Sequence, residues 1–338
     1  MNRQKYNPLF FTLLGCLLVL LFVTDLMVGS VDISLKDICD SFFGEEIGAS
    51  KILYRFRLPK ACVAVFTGIS LSVAGLQMQT IFRNPLADPY VLGVSSGAGL
   101  GVALFIMGAS SFAIVESLRD VGTYVAALGG SSIVLILILL VSLQVKNVMS
   151  ILILGVMFGS GISAIISILQ YFGANAGVKT YVIWTMGSLG SVSSDKILLM
   201  GVALFAGVVI SIFSIKPLNA LLLGENYAKS MGVNIQRSRN IVFLGTSILT
   251  GTATAFCGPI GFIGIAVPHL TRMLFRQADH RVLMPGTMLT GSCIMLLCDI
   301  ISQSIIKNIT LPINSITALL GIPVIIFVIF STQMTKMK

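Results

Sequence analysis

Ten uncharged windows run along this chain, at 6–24, 61–82, 89–115, 121–145, 147–178, 180–194, 197–215, 240–271, 282–298 and 308–335. The 61–82 window alone makes roughly 33 Å of helix, enough to cross a hydrocarbon core of about 30 Å. Backbone polar groups in lipid must be satisfied within their own segment, so runs of this length and polarity fold as membrane helices. Composition agrees: 56% of the 338 residues are hydrophobic and 10% are charged, where a soluble domain carries about a quarter charged. The expected fold class is an all-α integral membrane protein, with residues 1–338 forming one transmembrane domain.

Charge sets the orientation. With the N-terminus inside and the spans alternating, the inner segments hold 13 lysines and arginines against three acids, Asp88, Glu225 and Asp279. The outer segments hold 9 cations and 10 acids. This is the bias of the positive-inside rule, and it accounts for the net charge of +9 without a nucleic-acid partner. A C-terminus that is also inside requires an even number of spans. About ten transmembrane helices, with both termini cytoplasmic, fit once the 240–271 window is divided.

The division falls at Cys257-Gly258-Pro259-Ile260-Gly261-Phe262, where proline lacks a backbone donor and glycine favours a break. Two short spans are expected, about 240–256 and 260–274. Residues 178–188 are expected as a short outer helix. Ser30–Tyr54 is expected as an acidic surface loop with a helical turn. The first window begins with Arg3 and Lys5 but is followed by Asp25 rather than a small-residue cleavage site, so it reads as a retained span rather than a leader. The one long inner segment, 216–239, places Leu218, Leu221, Leu222, Ala228 and Met231 at near-helical spacing, divided at Gly224 and Gly232. It predicts two short helices lying at the membrane surface.

Chemistry-bearing patterns are few. The two histidines, 269 and 280, make no zinc motif, and the six cysteines have no CxxC spacing. GENYAKS at 224–230 lacks the second glycine and the preceding strand of a phosphate loop, and GAGLG at 97–101 is no dinucleotide fingerprint. Neither ATP nor a metal is therefore expected on this chain. Asp299 stands alone deep in an apolar run, near the outer end of its span, wet or hydrogen-bonded. Gly93, Gly97 and Gly101 form one stripe, as do Gly155 and Gly159; such stripes let helices approach closely, within a subunit or between subunits.

The stretch 57–101 gathers most of these features. It opens RLPK, crosses to Gly75-Leu-Gln-Met-Gln79, turns through FRNPLADPYVLG and returns on the glycine stripe. With GPIGFIGIAVPHLTR, DHRVLMPG and LPINSITALLGIPVIIFVI, it makes the chain resemble the FecCD/BtuC-type permeases from about residue 8 to 333. These are the membrane subunits of ABC importers for ferric siderophores, haem and cobalamin.

The resemblance implies ten helices per subunit and a bacterial cytoplasmic (inner) membrane. It implies a second permease subunit, identical or paralogous, and two ATP-binding subunits carrying ATP and magnesium. It also implies a periplasmic or lipid-anchored substrate-binding protein. Arg57 and Lys60 match outer positions that meet acids on that protein. Lys60 stands where the family often has arginine, and lysine loses the planar fork. Gln303 replaces an arginine found in some members, with Lys307 a turn further on. Asn84, Leu86, Asn147 and Val148 match the cytoplasmic gates. LNALLLGENYAKSMGV at 218–233 resembles the coupling helices that seat in the ATPase, and Leu222, Gly224, Glu225, Ala228 and Gly232 fall within it. A ferric siderophore is the leading cargo, with haem or cobalamin as alternatives. An ion-coupled secondary transporter would show several buried carboxylates and a duplicated hydropathy pattern; an intramembrane enzyme would show a nucleophile and base.

Overall fold

The computed structural model describes residues 8–31, 33–42, 48–108, 116–145, 147–306 and 309–336. The chain opens with α1 (Pro8–Met27), whose leucines at 9, 13, 17 and 20 face outward while Asp25 and Leu26 are buried at its end. Two short helices follow, α2 (Leu35–Phe42) and α3 (Gly48–Ile52). The start of α2 is closed by a reciprocal cap: Asp37 Oδ2 accepts from Ser34 N and Oγ, and Asp37 N donates to Ser34 Oγ. These bonds hold the Asp37 carboxyl below the usual range. A π-helical turn, Leu53–Arg57, then runs directly into α4 (Leu58–Ile81). The acidic outer segment is thus largely helical rather than a loop with one turn, because its cap and its apolar contacts make it so.

The central helix is α4. Its middle and inner turns are almost wholly buried, and α14, α12, α13 and α9 pack around it. Small residues make this possible. A Cβ on Gly68 would lie 2.4 Å from the Gly291 carbonyl oxygen, and one on Gly75 would lie 1.8 Å from that of Gly264. After the turn at 82–88 and a 3-10 turn at Pro89–Leu92 come α5 (Val94–Gly108), α6 (Glu116–Gln144) and α7 (Val148–Phe172). The glycine stripe of α5 packs within the subunit: a Cβ at Gly97 would meet Gly130 at 2.5 Å, and one at Gly101 would meet Ala126 at 2.0 Å.

The expected short helix is present as α8 (Asn175–Thr185), followed by α9 (Ser194–Phe213). Two surface helices come next, α10 (Ile215–Leu222) and α11 (Glu225–Ser230), joined at Gly224 (φ +114°) and ended before Gly232 (φ +81°). The remaining elements are α12 (Ile235–Cys257), α13 (Ile263–Phe275), α14 (His280–Ser304) and α15 (Ile313–Lys336).

The divided window is a helix break between α12 and α13, and protein groups satisfy its backbone. Tyr90 Oη accepts from Ile260 N and donates to Ile260 O, both at 2.9 Å. Gly261 N donates to Asn314 Oδ1, and Ser188 N donates to Cys257 O. That is the condition under which irregular backbone survives at membrane depth. Among the described residues, seven helical stretches are long and apolar enough to cross a membrane: Pro8–Met27, Ser50–Ile81, Val121–Gln144, Val148–Phe172, Ser194–Phe213, Ile235–Cys257 and His280–Ser304. Three shorter apolar helices, Val94–Gly108, Ile263–Phe275 and Ile313–Phe327, occupy the other expected positions.

Candidate functional site

At the start of α4, Arg57 and Lys60 both point inward. Arg57 lies on the π-helical turn and is buried; its guanidinium donates to the carbonyl oxygens of Leu26 (2.6 Å) and Val31. It therefore holds the segment that leaves α1 against the start of α4. Lys60, one turn on, places Nζ 2.9 Å from Asp299 Oδ1, with the lysine side chain 18% exposed and the aspartate 2%. Gln303 Nε2 reaches both Asp299 Oδ2 (3.1 Å) and Asp25 Oδ1 (3.3 Å). Two carboxylates and two cations from α1, the π-helical turn, α4 and α14 thus form one cluster. Lys60 and Asp299 also line an outer cavity of about 500 Å³ with Phe56, Ser191 and Pro312. Lys307 lies outside the described residues. The role of Asp25 and the bridging amide of Gln303 were not legible in the sequence, because nothing local to either residue names its partners.

At the opposite end of α4, the knot at 83–89 is a built turn. Arg83 adopts φ +47°, Asn84 Oδ1 accepts from Leu86 N (3.0 Å), and Asp88 Oδ1 accepts from Tyr90 N (2.8 Å). His269 of α13 is bonded through Nε2 to Pro85 O at 2.7 Å. Leu86 is exposed, whereas Ala87 is buried. Asn147 caps α7 by accepting from Met149 N (2.9 Å), and Val148 follows as its first residue. One buried cluster joins these pieces to the surface helices: it contains Ala87, Leu92, Leu218, Leu221 and Ala228, with Val148 packed against it.

Burial raises the Asp88 carboxyl to about 6, against the opposing effect of the Tyr90 amide. A carboxyl whose folded value is raised favours the folded state most when protonated, so this contribution is lost as pH rises from about 4 through about 6. Thermal melts in detergent across that window are expected to slope downward with pH in the natural chain and to flatten in Asp88→Asn. An unchanged slope would assign the dependence elsewhere.

The surface pair is tied into the bundle by side chains. Asn219 of α10 donates through Nδ2 to Asp279 Oδ1 (2.6 Å), while its Oδ1 receives His280 N (2.9 Å) and lies 2.7 Å from His280 Nδ1. Since Asn219 Oδ1 only accepts, His280 carries its proton on Nδ1. Nε2 lies 2.9 Å from Thr80 Oγ1 on α4, whose single proton also has the Leu76 carbonyl oxygen at 2.9 Å. Arg83 also donates to Leu221 O at 3.4 Å. In α11, Glu225 pairs with the buried Arg239 of α12 at 2.7 Å, and Ala228 is fully buried. The opposite face is open and mixed: Leu222 is 48% exposed and Met231 60%, with Leu223 and Tyr227 beside them and Asn226, Lys229 and Ser230 also exposed. Asn219, His280 and Thr80 are additions to the site; an Asp-His pair opening a helix was their only sequence signal. Among the described residues no group of three histidines, cysteines or acids is placed to hold a metal ion.

The sequence matches the FecCD transport family over residues 17–331. The chain belongs to the FecCD family. It is 33% identical over 331 residues to the hemin transport system permease protein HmuU of Yersinia pestis, with 97% of each chain covered. It is 31% identical over 333 residues to the vitamin B12 import system permease protein BtuC of Shigella boydii serotype 18, with 98% of each covered. A solved metal-chelate type ABC transporter in an inward-facing conformation superposes with a TM-score of 0.85 at 29% identity, covering 96% of this chain and all of that one. This FecCD protein is accordingly a multi-pass permease subunit of an ABC importer in the cytoplasmic membrane, a transport subunit and not an enzyme. Importers of this kind work with ATPase and substrate-binding partners.

Proposed function

We propose that this permease carries an iron chelate, a ferric siderophore in the leading reading, from a binding protein to the cytoplasm. ATP and magnesium act on a pair of separate ATPase subunits. The observation that carries the reading is the way α10 and α11 join the bundle. Their exposed surface, with Leu222, Leu223, Tyr227 and Met231 set among polar residues, is of a kind that seats in a partner's cleft. Their buried face shares a core with the knot at 84–88 and the start of α7. A push on α10 reaches α4 and α14 through Asn219, Asp279, His280 and Thr80, and reaches the knot through Arg83. Asn84, Leu86, Asn147 and Val148 then serve as the inner gate, displaced when the surface pair moves. Gly224 and Gly232 let α11 swing as a unit, Glu225 keeps it fastened to α12, and Ala228 seats it.

At the outer end, Lys60 is the cation that faces a cavity, and it meets an acidic group on the binding protein. Arg57 supports it by fixing the backbone beside it. A second permease subunit completes the pathway. Haemin is the second reading, favoured by the match to the Yersinia protein over nearly the whole of both chains; cobalamin is the third, on the match to the Shigella protein.

Proteoliposomes holding the permease, its ATPase and its binding protein decide among them. Uptake of one of ferric siderophore, haemin or cobalamin, dependent on ATP, is expected; uptake driven by a proton gradient without ATP would refute the reading. Asn219→Leu is expected to leave ATP hydrolysis running while uptake falls about tenfold, and equal loss of both would remove the linkage assigned to it.

A further inference from the structure

A groove of about 550 Å³ lies between α6 and α12 at the end of the bundle that carries α10 and α11. We propose that it binds an anionic phospholipid of the cytoplasmic leaflet, one per chain. Its walls are sorted by chemistry. Ile136 and Leu140 on α6, with Leu244 on α12, line the part that runs toward the membrane centre, and Leu143 lies beside Ser142 near the polar end. The three α6 side chains are among the most exposed apolar groups of that helix. A smaller cavity between the same helices, where Leu128, Leu135 and Ile248 alternate with Ser131, Ser132, Ser247 and Thr252, is of mixed character and lies beyond the groove.

All the polar groups sit at the other end, on the first turns of α12: Asn234, Gln236, Arg237 and Asn240. Three of these are already engaged. Asn234 Oδ1 caps the helix at Arg237 N, and Gln236 and Asn240 bond each other and Ser142 of α6, which joins the two walls. Arg237 differs. Its side chain is exposed and has no ion-pair partner among the described residues, whereas Arg239 two positions on is paired with Glu225.

An apolar channel lying in hydrocarbon and ending in an unpaired guanidinium at the membrane surface fits an amphiphile with acyl chains and an anionic head. Basic pockets between helices on the cytoplasmic side recognise lipid headgroups in this way, and the planar guanidinium suits a phosphate. The same chemistry disfavours a zwitterionic headgroup, whose own ammonium would offset the attraction. The inference is independent of the cargo and of the roles assigned to α10 and α11.

The test is native mass spectrometry of the detergent-purified transporter, stripped of lipid and titrated with palmitoyl-oleoyl phosphatidylglycerol or phosphatidylcholine. One phosphatidylglycerol per permease chain is expected to be held about fivefold more tightly than phosphatidylcholine. Arg237→Gln, at an exposed position that leaves the fold intact, is expected to erase the preference. Leu140→Trp, which fills the apolar half, is expected to reduce retention of both lipids. Equal retention of the two lipids by the natural chain, or a preference that survives Arg237→Gln, overturns the proposal. Displacement of the lipid by inorganic phosphate at the same concentration also overturns it, since that would make the site an anion site alone. So does capture of the ATPase or of a second permease copy, rather than lipid, by a photo-crosslinker placed at Leu143.

Discussion

Replacing Lys60 by methionine is expected to destabilise this permease by about 3–5 kcal/mol, the cost of leaving one partner of a buried ion pair uncompensated. The ammonium lies 2.9 Å from Asp299, a carboxylate with 2% exposure, and Gln303 brings Asp25 to the same place. Removing the lysine leaves two carboxylates sharing one amide and the buried Arg57, whose guanidinium is already engaged by two carbonyls. The readout is a thermal melt in detergent, with the double variant Lys60→Met/Asp299→Leu as the decisive comparison. If the ion pair is the cause, the double variant recovers most of the loss, because an apolar pair of similar volume costs little. A double variant no more stable than Lys60→Met would place the effect elsewhere. Lys60→Arg keeps the charge and separates the structural role from docking: its fold is expected to hold, and any change in binding-protein affinity then reports on the outer surface.

Gly75→Leu is expected to have an effect of comparable size, about 3 kcal/mol, at the top of the range for overpacking a core. The neighbour that a Cβ would strike at 1.8 Å is the Gly264 backbone carbonyl, which cannot rotate out of the way as a side chain can. Gly264 is itself confined, since a Cβ there would lie 2.5 Å from the Pro89 ring. Three segments, α4, α13 and the turn after the knot, therefore meet with no room for a methyl group. Displacing α13 would also pull on the His269–Pro85 contact, so ATP-driven uptake is expected to fail along with stability. Gly129→Ala is the control. Nothing lies within 4 Å of its Cβ position, and in a helix interior alanine is favoured over glycine by about 1 kcal/mol. Equal melting shifts for the two variants would show that packing at Gly75 is not the cause.

Much of the membrane architecture was legible in the one-dimensional pattern, because lipid imposes a simple rule. Every crossing must be a closed run of helix, so uncharged length alone located the long spans. The break at 257–262 announced itself through Gly258, Pro259 and Gly261. The surface pair announced itself through leucine spacing interrupted at Gly224 and Gly232. Local propensity, hydropathy and turn chemistry all act over a few residues, which a sequence displays directly.

What the tertiary structure alone decided is which distant groups meet. The acidic outer segment is helical because Ser34 and Asp37 cap α2 and because Arg57 draws the chain back onto α1. Asp299 is hydrogen-bonded by Gln303, as expected, and is also paired with Lys60, a residue 239 positions away in the sequence. The glycine stripe at 93–101 could have served a subunit interface as well as its own bundle, and only packing assigned Gly97 and Gly101 to α6. The chain from Asn219 through His280 to Thr80 joins residues up to 200 apart. Charges and hydrogen-bond donors are short-ranged in space but unrestricted along the chain, so their partners are settled only when the helices pack.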